Sequence, residues 1–217
     1  EGIAQAFLIG KNYINNNPSA LILGDNIFYG QGLSTKLIEI SKKNDGATIF
    51  GYPVEDPQRF GVIEYNGNEI ISIKEKPLNP KSNIAVTGLY FYDTDVCNRV
   101  KFLKPSTRGE LEITDLNVSY LVDKKLDFHK FGRGFTWFDT GTHDSLIDAG
   151  QFIRTIEKRQ GLKISCLEEI AWRKGWINDD QLEILAIKLL KSGYGEYLMR
   201  LLQRSKIEKV LLQQSST

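Results

Sequence analysis

The sequence predicts an α/β protein with a mixed sheet over residues 1–160 and a helical appendage over 161–217. Short β-type runs alternate with helical segments as far as Gly161. Two of those runs break off at an aspartate, Asp25 and Asp139, each followed by polar or glycine residues. Beyond Gly161 the pattern holds helical pieces only.

Glu1 to Phe7 opens as a helix, and Ala20 to Leu23 is the first strand. Leu33, Leu37, Ile38 and Ile40 fall near helical spacing on a helix that stops before Gly46, and Ala47 to Gly51 is a buried strand. Val62–Tyr65 and Glu69–Ile73 flank Asn66-Gly67-Asn68, a hairpin with an Asn-Gly turn. Val86 to Tyr92 is a strand, and the short helix after it has Thr94 as candidate cap. Glu112 to Val122 reads as helix and Leu126 to Phe131 as extended chain. The strand ending at Asp139 leads to a long helix capped by Thr142. Its inner face carries Leu146, Ile147, Phe152, Ile153 and Ile156, and Gly161 ends it. In the appendage Leu167–Trp172, Asp180–Lys191 and Gly195–Leu212 read as helices, with a frayed tail over Gln213–Thr217.

The bulk composition belongs to an ordinary globular protein: 217 residues, 41% apolar and 25% charged. Lys+Arg at 28 against Asp+Glu at 27 gives a net charge of +1, which argues for neither nucleic acid nor an anionic membrane as partner. No membrane-length apolar run and no secretory signal is present, and Cys97 and Cys166 lack metal-ligand spacing. These features lead us to expect a cytoplasmic protein with reduced, buried thiols. The chain starts without methionine inside a helix, and no strand precedes it. It is therefore expected to be the C-terminal part of a longer protein.

An open α/β sheet binds ligands beyond the carboxyl ends of its strands, where a carboxylate can reach a metal that phosphates also hold. Asp25 or Asp139 alone reads better as a residue that opens a turn. The two together, from distant parts of the chain, point to one magnesium–phosphate site. Glu75-Lys76-Pro77 closes a strand, so Glu75 and Lys76 can share a ligand only if the chain turns there. A carboxylate beside an ammonium suits a sugar phosphate; a surface pair at a strand end is the competing reading. Gly61 lets a sugar ring pass close to the main chain, and Gly88 marks close approach of a ligand or of a neighbour. Arg59 reads as a solvated loop residue, and Arg108 as either a phosphate ligand or part of a basic loop. His129 reads as structural, while His143 either orients Asp139 or is merely exposed. Trp137, Trp172 and Trp176 read as core or subunit-contact anchors. No Ser/His/Asp or Cys/His nucleophile set can be assembled, which fits a reaction whose nucleophile belongs to the substrate.

Five segments carry a family resemblance: Leu23–Gly30, Glu75–Pro77, Val86–Asp93, Arg108–Asp115 and Trp137–Thr142. Together with Glu157–Lys163 and Glu168–Ala171 they resemble the glucose-1-phosphate thymidylyltransferase family of sugar nucleotidyltransferases, from Glu1 nearly to Leu202. The resemblance implies a Rossmann-like three-layer mixed sheet of the nucleotide-diphospho-sugar transferase type. It implies dTTP and glucose 1-phosphate as substrates, and Asp25 and Asp139 as Mg²⁺ ligands. Glu75 would hold glucose hydroxyls, with Gly61, the Val86 main chain and Asn26 also at the substrate. Lys76 and Arg108 would meet the sugar phosphate, Gly2 would lie near the nucleotide, and the appendage would serve a homotetramer and an allosteric nucleotide site. The family's G-G-x-G-T-R-L loop and its following lysine are absent from these 217 residues. The 217-residue piece by itself is accordingly expected to have little activity. Two rivals remain. A nucleotide-sugar glycosyltransferase would carry a D-x-D motif where this chain has Gly24-Asp25-Asn26. The other is a non-catalytic sugar-phosphate-binding or assembly fragment that has lost the nucleotide loop.

Overall fold

The structure, a computed structural model, describes residues 2–43, 45–67 and 69–214. A 3₁₀ turn at Ile3–Gln5 leads into α1 (Ala6–Ile9) and α2 (Lys11–Ile14), then β1 (Ser19–Ile22), β2 (Asn26–Gly30), α3 (Leu33–Ser41) and β3 (Ala47–Pro53). A hairpin follows, β4 (Gly61–Asn66) and β5 (Glu69–Glu75), then β6 (Ile84–Tyr92), α4 (Val96–Phe102) and α5 (Ile113–Val122). After β7 (Leu126–Lys130) and β8 (Phe135–Asp139) come α6 (His143–Gln160), α7 (Leu167–Arg173), α8 (Asp179–Lys188) and α9 (Gly193–Gln214). The chain separates into two compact units, Glu1–Ala149 and Gly150–Thr217.

In the first unit six strands make a mixed sheet in the order β5-β4-β6-β3-β7, with β1 also on β6. The central strand β3 runs antiparallel to β6 and parallel to β7. Alternation along the strands supplies two cores. Ile49, Ile63, Ile84, Val86 and Tyr90 face Phe7, Val96, Val100, Leu116 and Tyr120 of the helices. Phe50, Leu89 and Phe131 face the opposite way, towards Leu33, Leu37 and Ile40 of α3. Because both faces are covered, β3 and β6 read as near-continuous apolar runs. The β3–β6 register shifts between Ile49 and Gly51, and the Thr87 hydroxyl donates to the Phe50 carbonyl at 3.2 Å. A bulge of this kind re-aims a strand next to a site.

Several local expectations change. The opening helix is a 3₁₀ turn and two one-turn helices parted at Gly10, and Glu1 lies outside the described residues. Thr94 does not cap α4: Asp95 takes that position, and its N–H donates to buried Asp93 at 3.0 Å. Asp93 also accepts from Gly46 N at 2.9 Å and Tyr120 Oη at 2.7 Å, so this buried carboxylate is satisfied. The β4–β5 pairing closes from Asn66 to Glu69 with Gly67 at φ 59°, while Asn68 lies outside the described residues. Thr142 does cap α6, accepting from Ser145 N at 3.2 Å, and Gly161 leaves it at φ 68°. Leu146 and Ile147, assigned to an inner face, are more than half exposed. Gln213 and Gln214 continue α9 instead of fraying, and residues 215–217 are outside the described set.

The second unit is helical. Leu182, Ala186, Leu198 and Leu202 form its core beside Cys166. Asn178 and Gln181 make a reciprocal capping box at the start of α8. The hydroxyls of Tyr194 and Tyr197 donate to Glu168 and Glu169, tying α9 to α7. Leu198 is fully buried, so Leu198→Ala is expected to cost about 3 kcal/mol through lost burial and a residual cavity. Urea titration of the natural-length protein checks this, and an unchanged midpoint would contradict it.

Candidate functional site

A second sheet, absent from the sequence reading, builds the first half of the site. Ile27-Phe28-Tyr29 follows Asp25 as strand β2, which pairs antiparallel with β8 and sets Asn26 opposite Asp139. Thr140 donates from both its N–H and its hydroxyl to the Asp25 carbonyl, at 2.9 and 2.8 Å. A Cβ placed on Gly141 would sit 3.1 Å from Asp139 Oδ1 and 3.9 Å from Asp25 Oδ2. One oxygen of each carboxylate therefore lies within 3.9 Å of a single point, beside exposed Asp25 and Gly141. No group of three or more His, Cys, Asp or Glu placed to hold a metal ion exists among the described residues. Two convergent carboxylates with an open side fit a hard cation that completes its shell with water and phosphate oxygens, and do not fit a closed structural metal.

Asn26 holds this pair. Its Nδ2 donates to Asp25 Oδ1 at 2.9 Å, while its Oδ1 accepts from Gly88 N at 3.0 Å and from Trp137 Nε1 at 2.6 Å. The Asn26 side chain thus fixes Asp25. Gly88 is required here: a Cβ on it would lie 2.6 Å from Asn26 Oδ1. Of the two readings of Gly88, this is the neighbour's close approach.

The second cluster gathers Gly61, Glu75, Val86 and Arg108. A Cβ on Gly61 would meet Thr114 Oγ1 at 3.1 Å, Glu75 Oε2 at 3.3 Å and Val86 Cγ2 at 3.6 Å, so the missing side chain leaves a small polar recess. Thr114 donates to Glu75 Oε2 at 2.6 Å, and Arg108 Nη2 lies 3.6 Å from Glu75 Oε1. Lys76 has φ 42°, a conformation disfavoured for a side-chain-bearing residue, and its N–H donates to the Phe60 carbonyl at 3.0 Å. That is the turn needed for Glu75 and Lys76 to serve one ligand. Arg108 also pairs with Glu112, and this hydrogen bonding raises the guanidinium's already high pKa. Burial alone would push Glu112 up, but hydrogen bonds from Ser106 and Arg108 hold it below the usual carboxylate range.

The two clusters are continuous. Val86 and Gly88 are two residues apart on one face of β6, about 7 Å along the strand. Phe60, beside Gly61, packs edge-on to Trp137 with centroids 5.3 Å apart. Gly2 has φ 97° and lies so close to the Leu111 backbone that a Cβ would meet it at 2.6 Å. His143 is exposed, Arg59 is paired with Asp56 at 2.8 Å, and His129 lies 5.9 Å from the Phe50 ring with its pKa lowered by burial. A cavity of about 880 Å³ between β5 and α5 is lined by none of the acids assigned to the site. Sequence reasoning assigned no role to Thr114 or Glu112; both are ordinary helix-start residues until the fold places them on Glu75 and Arg108.

The nucleotidyl transferase family matches residues 1–156. The glucose-1-phosphate thymidylyltransferase of Neisseria meningitidis serogroup A is 54% identical over 205 residues, covering 94% of this chain and 71% of that protein. The Mycobacterium tuberculosis protein of the same name is 53% identical over 94% of this chain and 71% of its own length. Among solved structures, UDP-glucose pyrophosphorylase complexed with UDP-glucose superimposes with a TM-score of 0.61 at 25% identity. That match covers 71% of this chain and 62% of that one. A candidate glucose-1-phosphate thymidylyltransferase from Bacillus anthracis gives 0.63 at 43% identity, over 70% of this chain and 60% of that one. The chain therefore spans about 60% of the solved structures it matches. The architecture is that of the nucleotide-diphospho-sugar transferases. With family, identity and coverage agreeing, the chain belongs to the nucleotidyl transferase family, and within it to the glucose-1-phosphate thymidylyltransferases, enzymes of the nucleotidyltransferase class.

Proposed function

We propose that the natural-length protein transfers a thymidylyl group from dTTP to α-D-glucose 1-phosphate, releasing pyrophosphate. The observation that carries this reading is that Asp25 and Asp139 lie close to one point, while Asn26, which holds Asp25, bonds Gly88 two residues along β6 from Val86 of the recess. A phosphate oxygen of the sugar phosphate forms the new bond to the α-phosphorus as the α–β bridging bond breaks. That oxygen is ionised at neutral pH, so no general base is needed, consistent with the lack of a nucleophile set in the sequence. Glu75, steadied by Thr114, accepts hydrogen bonds from glucose hydroxyls. Lys76 and Arg108 meet the sugar phosphate and offset its repulsion from the nucleotide. Asp25 and Asp139 would hold Mg²⁺, which when bound supplies electrostatic stabilisation between the two anions.

Gly2 is proposed at the nucleotide, with Asn26 and the Val86 main chain at the substrate. We place the protein in the cytoplasm as a homotetramer; no described helix is long and apolar enough to cross a membrane. In the second unit a cavity of about 540 Å³ is lined by Arg154, Lys158 and Arg200 together with a Lys163–Glu157 ion pair at 2.6 Å, and this excess of cations supports a second anionic ligand there, the allosteric nucleotide. Calorimetry and turnover with dTTP, glucose 1-phosphate and magnesium test the main reading in the natural-length protein. Pyrophosphate release supports it. Binding of glucose 1-phosphate with no response to dTTP would instead establish the non-catalytic module.

A further inference from the structure

Arg108 sits on an exposed loop, yet its guanidinium is fixed. Nε donates to Glu112 Oε1 at 3.1 Å, and Nη2 reaches Oε1 and Oε2 at 2.9 and 2.8 Å. Its side chain is 41% exposed, whereas that of Glu112 is 10% exposed. Glu112 lies immediately before α5, whose Ile113 and Leu116 are buried, so its carboxylate stands on a rigid base. Ser106 tightens the arrangement. Its hydroxyl donates to Glu112 Oε1 at 2.7 Å and accepts from Arg108 N at 3.2 Å. Two backbone bonds at 2.8 Å, Ser106 N to Glu110 O and Gly109 N to Ser106 O, close the loop. The Nη1 edge makes no hydrogen bond to any described residue. A forked pair on one edge sets the plane of a guanidinium and leaves the other edge for a second anion.

We propose that Glu112 is a positioning residue for the transfer: with Ser106 behind it, it holds Arg108 so that the Nη1 edge is presented to the sugar phosphate. The proposal rests on the reading of Arg108 as a phosphate ligand. Glu112 touches no reacting atom. It removes the ordering cost of a long, flexible side chain before the substrate arrives, and its 2.8 Å pair dominates the longer ion pairs of Nη2 with Glu75 and Glu110, each at 3.6 Å. Loss of Glu112 therefore falls on the sugar-phosphate step and leaves the nucleotide step alone.

The test is a double-mutant cycle of Glu112→Gln and Arg108→Ala in the natural-length protein, reading KM for each substrate and kcat. Glu112→Gln is expected to raise KM for glucose 1-phosphate about tenfold, with KM for dTTP held within about twofold. In the Arg108→Ala background the same change is expected to add nothing, because the two residues act as one unit. An unchanged KM for glucose 1-phosphate would overturn the proposal. So would an equal rise in both KM values, or a full additional effect on top of Arg108→Ala. If Arg108→Ala itself leaves KM for glucose 1-phosphate unaltered, the phosphate role of Arg108 falls first, a result distinct from failure of Glu112 alone. Should Glu112→Gln fail to fold, Ser106→Ala takes its place. It is expected to raise the same KM about threefold by removing one hydrogen bond to Glu112, and no rise would overturn the proposal.

Discussion

Asp25→Asn and Asp139→Asn, made separately in the natural-length protein, are each expected to lower turnover by at least about a thousandfold. Thermal stability should change little. Asparagine retains the oxygen that Gly141 N donates to in Asp139 and that Asn26 donates to in Asp25. The two bonds from Thr140 go to the Asp25 main chain and survive either change. The substitution thus removes one negative charge from the shared point and keeps the shape around it. Turnover and a melting curve, measured on the same samples, check the expectation. A near-normal rate in either variant would remove the metal assignment, because one remaining carboxylate cannot replace two that face a common point.

Gly88→Ala is expected to cost about a hundredfold in kcat/KM and about 2 kcal/mol in stability. The added methyl would lie 2.6 Å from Asn26 Oδ1, 2.7 Å from Asn26 Cγ and 2.8 Å from Leu23 Cδ1. Gly88 is on a buried strand, so β6 cannot yield and Asn26 must move. Its bonds to the Gly88 N–H, Trp137 and Asp25 then break together, and the Asp25 carboxylate loses its orientation. Gly24→Ala is the internal control: its Cβ would meet nothing within 4 Å, so activity should persist. Kinetics and urea titration of both variants decide the matter, and full activity in Gly88→Ala would refute the role given to Asn26.

What the sequence disclosed follows from how local each signal is. Gly161, the Thr142 cap and the strand ending at Asp139 are set by neighbours in the chain, and the structure agrees with the reading of each. Pro77 after Lys76 signalled a turn, and the positive φ of Lys76 supplies it. Thr94 misled because Asp95 takes the cap position, its N–H held by Asp93, a long-range hub bonded to Gly46 and Tyr120. Strand β2 escaped notice for a different reason. Asp25-Asn26 reads as a turn signal, and only its partner β8, more than a hundred residues on, makes Ile27-Phe28-Tyr29 a ribbon. Of the candidate site residues, the acids and Glu75 could be picked out by chemistry at strand ends. Thr114 and Glu112 could not, since nothing near them in sequence announces the partners they meet.

The β2–β8 ribbon also governs when the acid pair comes into being. Thr140 and Asp25 are 115 positions apart, so the first aspartate leaves the ribosome long before the second. Closing so wide a loop is entropically slow and yields little until the whole ribbon zips. The nearness of the two carboxylates is therefore a product of long-range pairing, and neither segment carries it before the ribbon has closed.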